Sequence, residues 1–142
     1  MVNVAYRTMN KEDCEAVLHF WANTPGVRLH KNGEDTVDGI CAYLGRNPGL
    51  SFVAELDDQV IGAILCGHDG RRGIIHHLAV DSKYRRTGIG KKLLRLSVEQ
   101  LKANNIRKSM LFVLKENDIG EAFYKSLYWK EEDGVKIFAK VI

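Results

Sequence analysis

One stretch constrains this chain more than any other: residues 73–90, GIIHHLAVDSKYRRTGIG. Ile74 to Val80 has the pattern of a buried strand, Asp81 to Tyr84 that of a polar turn, and Arg85-Arg86-Thr87-Gly88-Ile89-Gly90 that of a basic glycine loop. The loop runs straight into a helical pattern in which Ile89, Leu93, Leu94, Val98 and Leu101 share one face to near Asn104-Asn105. Met110 to Leu114 is then short and wholly apolar, the mark of a central strand covered on both faces. Strand 73–80, helix 88–105 and strand 109–114 thus form a βαβ unit, which predicts parallel strands and a right-handed crossover.

A strand that delivers a glycine-rich loop to a helix N-terminus makes an anion site. Backbone N–H groups without intrahelical partners point at the ligand, and the helix dipole favours negative charge. Glycine lets a pyrophosphate approach the backbone, and arginine and lysine add countercharge. Two phosphate motifs fail here. A P-loop needs glycine where Arg85 stands and Ser or Thr where Lys92 stands. The dinucleotide fingerprint G-x-G-x-x-G accepts Gly88 and Gly90 but meets Leu93 at its third glycine. What remains is R-x-x-G-x-G after a strand ending Leu78-Ala79-Val80.

The rest of the chain supplies further elements. Val2 to Thr8 predicts a short first strand. Asn10 offers an N-cap with Glu12 and Asp13 in the first turn, and Cys14, Val17, Leu18 and Trp21 follow as an amphipathic helix ending at Asn23-Thr24-Pro25-Gly26. Residues 27–34 are polar and loop-like. A second helix is expected from Asp35, carrying Val37, Ile40, Cys41 and Leu44, with Gly45 suited to its C-terminal cap. Ser51 to Leu56 and Gln59 to Cys66 are strand-like runs joined at Asp57-Asp58, a hairpin spacing. Asp118 is expected to cap a fourth helix with Ile119, Ala122, Phe123 and Leu127, and Val135 to Ile142 alternates as a final strand. The order is β α α β β β α β α β, an α/β chain with a mixed sheet in one domain over 1–142.

Composition narrows the function. At 45% apolar and 27% charged, the chain has a soluble globular make-up, and no run approaches transmembrane length. The N-terminal residues lack an apolar export signal, so the expectation is a cytoplasmic protein without membrane attachment. Cys14, Cys41 and Cys66 are far apart in apolar patterns, which predicts reduced core thiols and no metal site. A net charge of +3, concentrated at 83–95 with only Tyr84 interleaved, argues against a nucleic-acid partner.

The loop and the element order together resemble the GNAT superfamily of N-acetyltransferases, whose acyl-coenzyme A loop reads Q/R-x-x-G-x-G/A. Asn117 to Tyr124, NDIGEAFY, is similar to that family's N-x-x-A-x-x-F-Y segment. The resemblance covers nearly the whole chain, most closely from Gly73 to Tyr128. It implies the GNAT fold with two parallel strands splayed around the pantetheine arm, and acetyl-CoA as co-substrate without a metal. Leu78, Ala79 and Val80 would then pair with the pantetheine amides, while Arg85, Arg86, Thr87, Gly88, Ile89, Gly90 and Lys91 hold the pyrophosphate. Asn117 would contact pantetheine, and Tyr124 would sit beside the sulfur as a general acid or hydrogen-bond donor. Tyr128 departs from the family pattern by standing where a glycine is usual, which strains the turn if that position needs a positive φ.

The general base is open between His76 and His77. In a regular strand they point to opposite faces, so at most one lines the acceptor side, and the family spacing selects His76. A bulge near Leu78 would shift the facing and select His77 instead, and a water relay to a carboxylate is a third possibility. Trp21, His30, His68 and Asp69 are candidate acceptor contacts, each with a purely structural alternative. The implied reaction is direct transfer of acetyl to a primary amine of a small molecule or peptide. A non-catalytic acyl-CoA sensor on the same fold is the competing reading, and the family resemblance leaves a homodimer open.

Overall fold

The computed structural model describes residues 3–142, which divide into two compact units, one running to Phe112 and the other Val113–Ile142. The first unit carries β1 (Ala5–Thr8), a 3-10 turn (Lys11–Asp13) leading into α1 (Cys14–Ala22), and α2 (Val37–Arg46). There follow β2 (Phe52–Leu56), β3 (Gln59–His68), β4 (Gly73–Val80), a 3-10 turn (Ser82–Tyr84), α3 (Ile89–Ala103) and β5 (Ser109–Leu111). The strands form one sheet in the order β1-β2-β3-β4-β5, antiparallel throughout except for the parallel β4–β5 pair. This is the mixed α/β sheet that the element order predicts.

The two faces of the sheet are distinguished by what packs on them. Ala63, Leu65 and Ala79 share a core with Cys14, Val17 and Trp21 of α1 and with Ile40 and Leu44 of α2. On the other face, a Cβ added to Gly62 would lie 3.1 Å from Leu93 and 3.2 Å from Ile89 of α3. Neighbouring residues of β3 therefore serve opposite layers, as the period of two requires. The buried stripe of α3 contains Ser97, whose hydroxyl donates to the Leu50 carbonyl at 2.7 Å, whereas Val98 is exposed.

Local chemistry places each element. Asn10 and Asp13 form a capping box, with Asn10 Oδ1 accepting from Glu12 N at 3.1 Å and Asp13 Oδ2 accepting from Asn10 N at 2.9 Å. Arg7 then clamps that turn to the sheet: its guanidinium meets both Asp13 oxygens at 2.7 Å and Glu55 at 2.8 Å. Asp57 and Asp58 both adopt positive φ, 49° and 62°, which is the backbone of a two-residue type I′ hairpin. Cys14 and Cys41 bring their sulfurs to 2.8 Å across the α1–α2 contact, and Cys66 is buried.

Several expectations need correction. Helix α2 begins after Thr36, whose hydroxyl accepts from Gly39 N at 3.0 Å; Asp35 lies outside the helix. Gly45 is interior to α2, and Asn47 is its C-cap, donating its backbone N–H to the Tyr43 carbonyl at 2.9 Å while its Oδ1 accepts from His68 N at 2.9 Å. In the second unit, Asn117 rather than Asp118 caps α4 (Asp118–Ser126), accepting from Gly120 N at 3.0 Å. β5 is shorter than its apolar run, and the final strand over Val135–Ile142 does not form. Alternation supplies an apolar face, but a strand also needs a neighbour's N–H and C=O groups. Among the described residues, 135–142 have no such ladder.

Candidate active site

Strand β4 organises the site. Along β3 it pairs from Gly73 to Val80, but its parallel pairing with β5 covers only Gly73–Ile75. Beyond Ile75 the β5-side edge, including Leu78, Ala79 and Val80, has no ladder partner among the described residues of the first unit. The antiparallel register also slips: Leu65 faces His76 and Ala63 faces Ala79, so Ile64 alone spans His77 and Leu78. This is a β-bulge, and His77 carries it with φ 50°.

The bulge brings the two histidines to the same face, the shifted facing that a break near Leu78 was expected to give in place of regular alternation. The His76 ring lies edge-on to Tyr43 of α2, with centroids 5.8 Å apart, and the His77 ring packs on Trp21 of α1 at 5.1 Å. Their own centroids are 6.0 Å apart. Burial, then the neighbouring His77, hold the His76 pKa below its ordinary value. His77 Nε2 lies 2.8 Å from Asp35 Oδ1, and the other oxygen, Oδ2, accepts the His30 backbone N–H at 2.7 Å. Asp35 N in turn donates to the His30 carbonyl at 3.1 Å, so residues 30–35 close on themselves around a buried carboxylate.

Trp21 has no exposed surface, and its Nε1 and the Tyr43 hydroxyl are buried without a hydrogen-bond partner among the described residues. Burial pushes the Tyr43 phenol well above its ordinary pKa, which keeps it neutral. His68 and Asp69 form the β3–β4 turn. His68 Nδ1 accepts from Gly70 N at 3.0 Å, and Asp69 Oδ1 accepts from Arg71 N and Arg72 N, both at 2.8 Å.

After β4, Asp81 caps the short 3-10 turn by accepting from Lys83 N at 2.9 Å, and the chain then enters the basic loop. Arg85 Nε reaches back to the Val80 carbonyl at 3.4 Å, and Thr87 Oγ1 donates to the Tyr84 carbonyl. Arg86 and Gly88 take positive φ, 63° and 88°, and Gly88 is the N-cap of α3. No side chain caps this helix. The N–H groups of Ile89, Gly90 and Lys91 precede the first helical bond, Lys92 N to Gly88 O at 3.0 Å, so the uncapped terminus keeps its partial positive charge. A Cβ at Gly88 would meet nothing within 4 Å; the backbone conformation, not crowding, calls for glycine.

The second unit carries Asn117 at the α4 N-cap and Tyr124 within the helix. Tyr124 packs edge-to-face on Phe123 at 5.1 Å and on Trp129 at 6.2 Å, and burial pushes its phenol up to about 12. Tyr128 does take a positive φ, 69°. Trp129 N donates to Tyr124 O, and Tyr128 N to Lys125 O, each at 3.1 Å, which is the Schellman pairing with tyrosine in the glycine position.

Asp35 was not among the residues that the sequence pattern singled out. Its one signal is an acidic residue just ahead of a Thr N-cap, which ordinarily means a favourable charge near a helix dipole. Only the fold carries it across 42 positions to His77.

Known proteins resemble this chain in sequence and in architecture. The model of the family described as Acetyltransferase (GNAT) matches residues 15–127. An acetyltransferase of Sodalis glossinidius (strain morsitans) is 30% identical over 134 residues, 94% of this chain and 92% of that protein. The PaiA N-acetyltransferase of Thermoplasma acidophilum, solved in complex with coenzyme A, superposes with a TM-score of 0.79 at 20% identity, over 94% of this chain and 93% of that one. Arabidopsis thaliana Naa50, solved with the bisubstrate analogue CoA-Ac-MVNAL, gives 0.72 at 22% identity, over 93% and 86%. At these identities the two structures speak for the fold.

Proposed function

Because this chain belongs to the GNAT family of acetyltransferases, we propose that it moves an acetyl group from acetyl-CoA to a primary amine by direct transfer within a ternary complex. The observation that carries this reading is the pairing of two features on β4. Its β5-side edge has no ladder partner beyond Ile75 among the described residues of the first unit, and the loop that follows leads to an uncapped helix N-terminus flanked by Arg85, Arg86 and Lys91. A pantetheine amide needs the first feature and a pyrophosphate needs the second, so the residues present fit the group.

Acetyl-CoA supplies an activated thioester. The amides from Arg86 to Lys91 hold the pyrophosphate, with Arg85, Arg86 and Lys91 as countercharge, while the backbone of Leu78, Ala79 and Val80 orients the pantetheine arm. A backbone N–H near Leu78 polarises the thioester carbonyl, a contribution of about 2.7–4 kcal/mol per donor. His77 is the group that we take to accept the amine proton: it shares the α1–α2 side with His76, and its Nε2 lies 2.8 Å from the Asp35 carboxylate. Tyr124 is the donor of a proton to the departing sulfur, and Asn117 a pantetheine contact, on the strength of the family segment that they match. Cys14 and Cys66 are poor nucleophiles, their thiols pushed by burial to about 12, which favours direct transfer over an acyl-cysteine.

The acceptor is a small-molecule or peptide amine, to be identified by release of free thiol from acetyl-CoA across an amine panel. The donor site is tested by Gly88→Glu. The variant places a like charge against the phosphates, and calorimetric titration is expected to show loss of coenzyme A binding while circular dichroism is unchanged. Retained binding would remove the loop from the site.

A further inference from the structure

We infer that Asp35 is the positioning residue of the acyl transfer: its carboxylate fixes the proton of His77 on Nε2, so that Nδ1 is the atom that takes the proton from the acceptor amine. The inference rests on the acetyltransferase reading and on His77 as its base.

The argument is one of hydrogen-bond inventory. An ionised carboxylate only accepts, so the 2.8 Å contact between Asp35 Oδ1 and His77 Nε2 requires the hydrogen on Nε2. The neutral ring then has its lone pair on Nδ1. Asp35 has no freedom to adjust, because its second oxygen is held by the His30 N–H at 2.7 Å and the residue is only 6% exposed. Trp21, wholly buried at 5.1 Å, fixes the ring from the α1 side. On proton transfer the amine N–H bond breaks, an Nδ1–H bond forms, and the imidazolium cation is left beside the Asp35 anion with Nε2–H still donated to it. No other bond changes at the histidine.

The His76 ring on β4 lies 6.0 Å from that of His77, and Asp35 and Glu34 on the loop before α2 act on His76 as opposite charges. Tyr43 of α2, beside His76, stays neutral. Asp35 is the one of these in hydrogen-bond contact with the ring.

The same inventory predicts an unusual result for Asp35→Asn. The His30 N–H needs an acceptor, so the amide oxygen must turn to it and the amide NH2 must face His77 Nε2. That forces the ring proton onto Nδ1 and removes the base without removing the histidine. The kcat/KM for the amine is expected to fall about 10²–10⁴-fold, the usual worth of a general base, with KM for acetyl-CoA unchanged. Nitrogen-15 correlation spectra of the free protein should show His77 as the Nε2–H tautomer in the natural chain and as Nδ1–H in Asp35→Asn.

His77→Asn, a residue that tolerates the φ of 50°, supplies the control. If Asp35 acts through His77, the double variant is no slower than His77→Asn alone. Full activity in His77→Asn overturns His77 as the base. A slow His77→Asn with an unimpaired Asp35→Asn, or additive losses in the double variant, overturns only the role of Asp35. If Asp35→Asn does not fold, the natural chain still decides, because a resting Nδ1–H tautomer of His77 there refutes the inference.

Discussion

Replacing Tyr128 should strengthen the end of α4 if the new residue is glycine and not if it is alanine. Tyr128 closes the Schellman turn at φ 69° while 91% of it is exposed, so its side chain contributes little packing. For a residue bearing Cβ, the left-handed conformation costs about 1–2 kcal/mol. Alanine removes the ring and keeps that cost. Glycine removes both but frees the unfolded chain, at about 0.4–1 kcal/mol. The difference leaves Tyr128→Gly more stable than Tyr128→Ala by about 0.5–1 kcal/mol. The readout is hydrogen exchange at the amides of residues 128 and 129, the two donors of the turn. Their protection should be about 2- to 5-fold greater in the glycine variant, the ratio corresponding to that free energy in local opening. Equal or greater protection in the alanine variant would refute the strain argument.

Two further outcomes are expected. Arg7 holds the Asp13 carboxyl below the ordinary carboxylate range, so the stability it supplies is full above about pH 4 and is lost as pH falls through the lowered folded value. Asp13→Asn should cost about 2 kcal/mol at neutral pH, the scale of charge-assisted bonds, and urea unfolding from pH 7 to pH 2 should show the gap to the natural chain closing. Tyr124→Phe should lower kcat while leaving the fold intact, whereas a sensor would lose nothing. With its phenol at about 12, Tyr124 stays protonated through the working range, so it should add no alkaline limb below about pH 10.

Much of this molecule was legible in the residue pattern because the signals were local. The apolar run of β4, the glycines after it and the spacing along α3 each report on a few neighbouring residues, and all three elements stand where the pattern placed them. Asp57-Asp58 was legible for the same reason. The failures share a different cause. Val135 to Ile142 alternates like a strand, but alternation says nothing about an available partner edge. Ser97 interrupts an apolar stripe, and its burial depends on a carbonyl 47 positions away at Leu50. The facing of His76 and His77, which the sequence left open between regular alternation and a bulge near Leu78, depends on one skipped partner at Ile64, a property of two strands together. Asp35 became visible only when the loop before α2 met β4.

The bulge in β4 can also be regarded as a change of reading frame. Leu65 opposite His76 and Ala63 opposite Ala79 bracket four residues of β4 against three of β3. Loss of Leu78 would let the ladder run on without moving either flank. His77 would then sit squarely opposite Ile64, on the layer that faces α3, and turn its back on Asp35. A single codon of contour length thus separates an ordinary sheet from one that presents a histidine to a buried acid. Gain or loss of that codon can make or unmake the dyad without a substitution at either of its members.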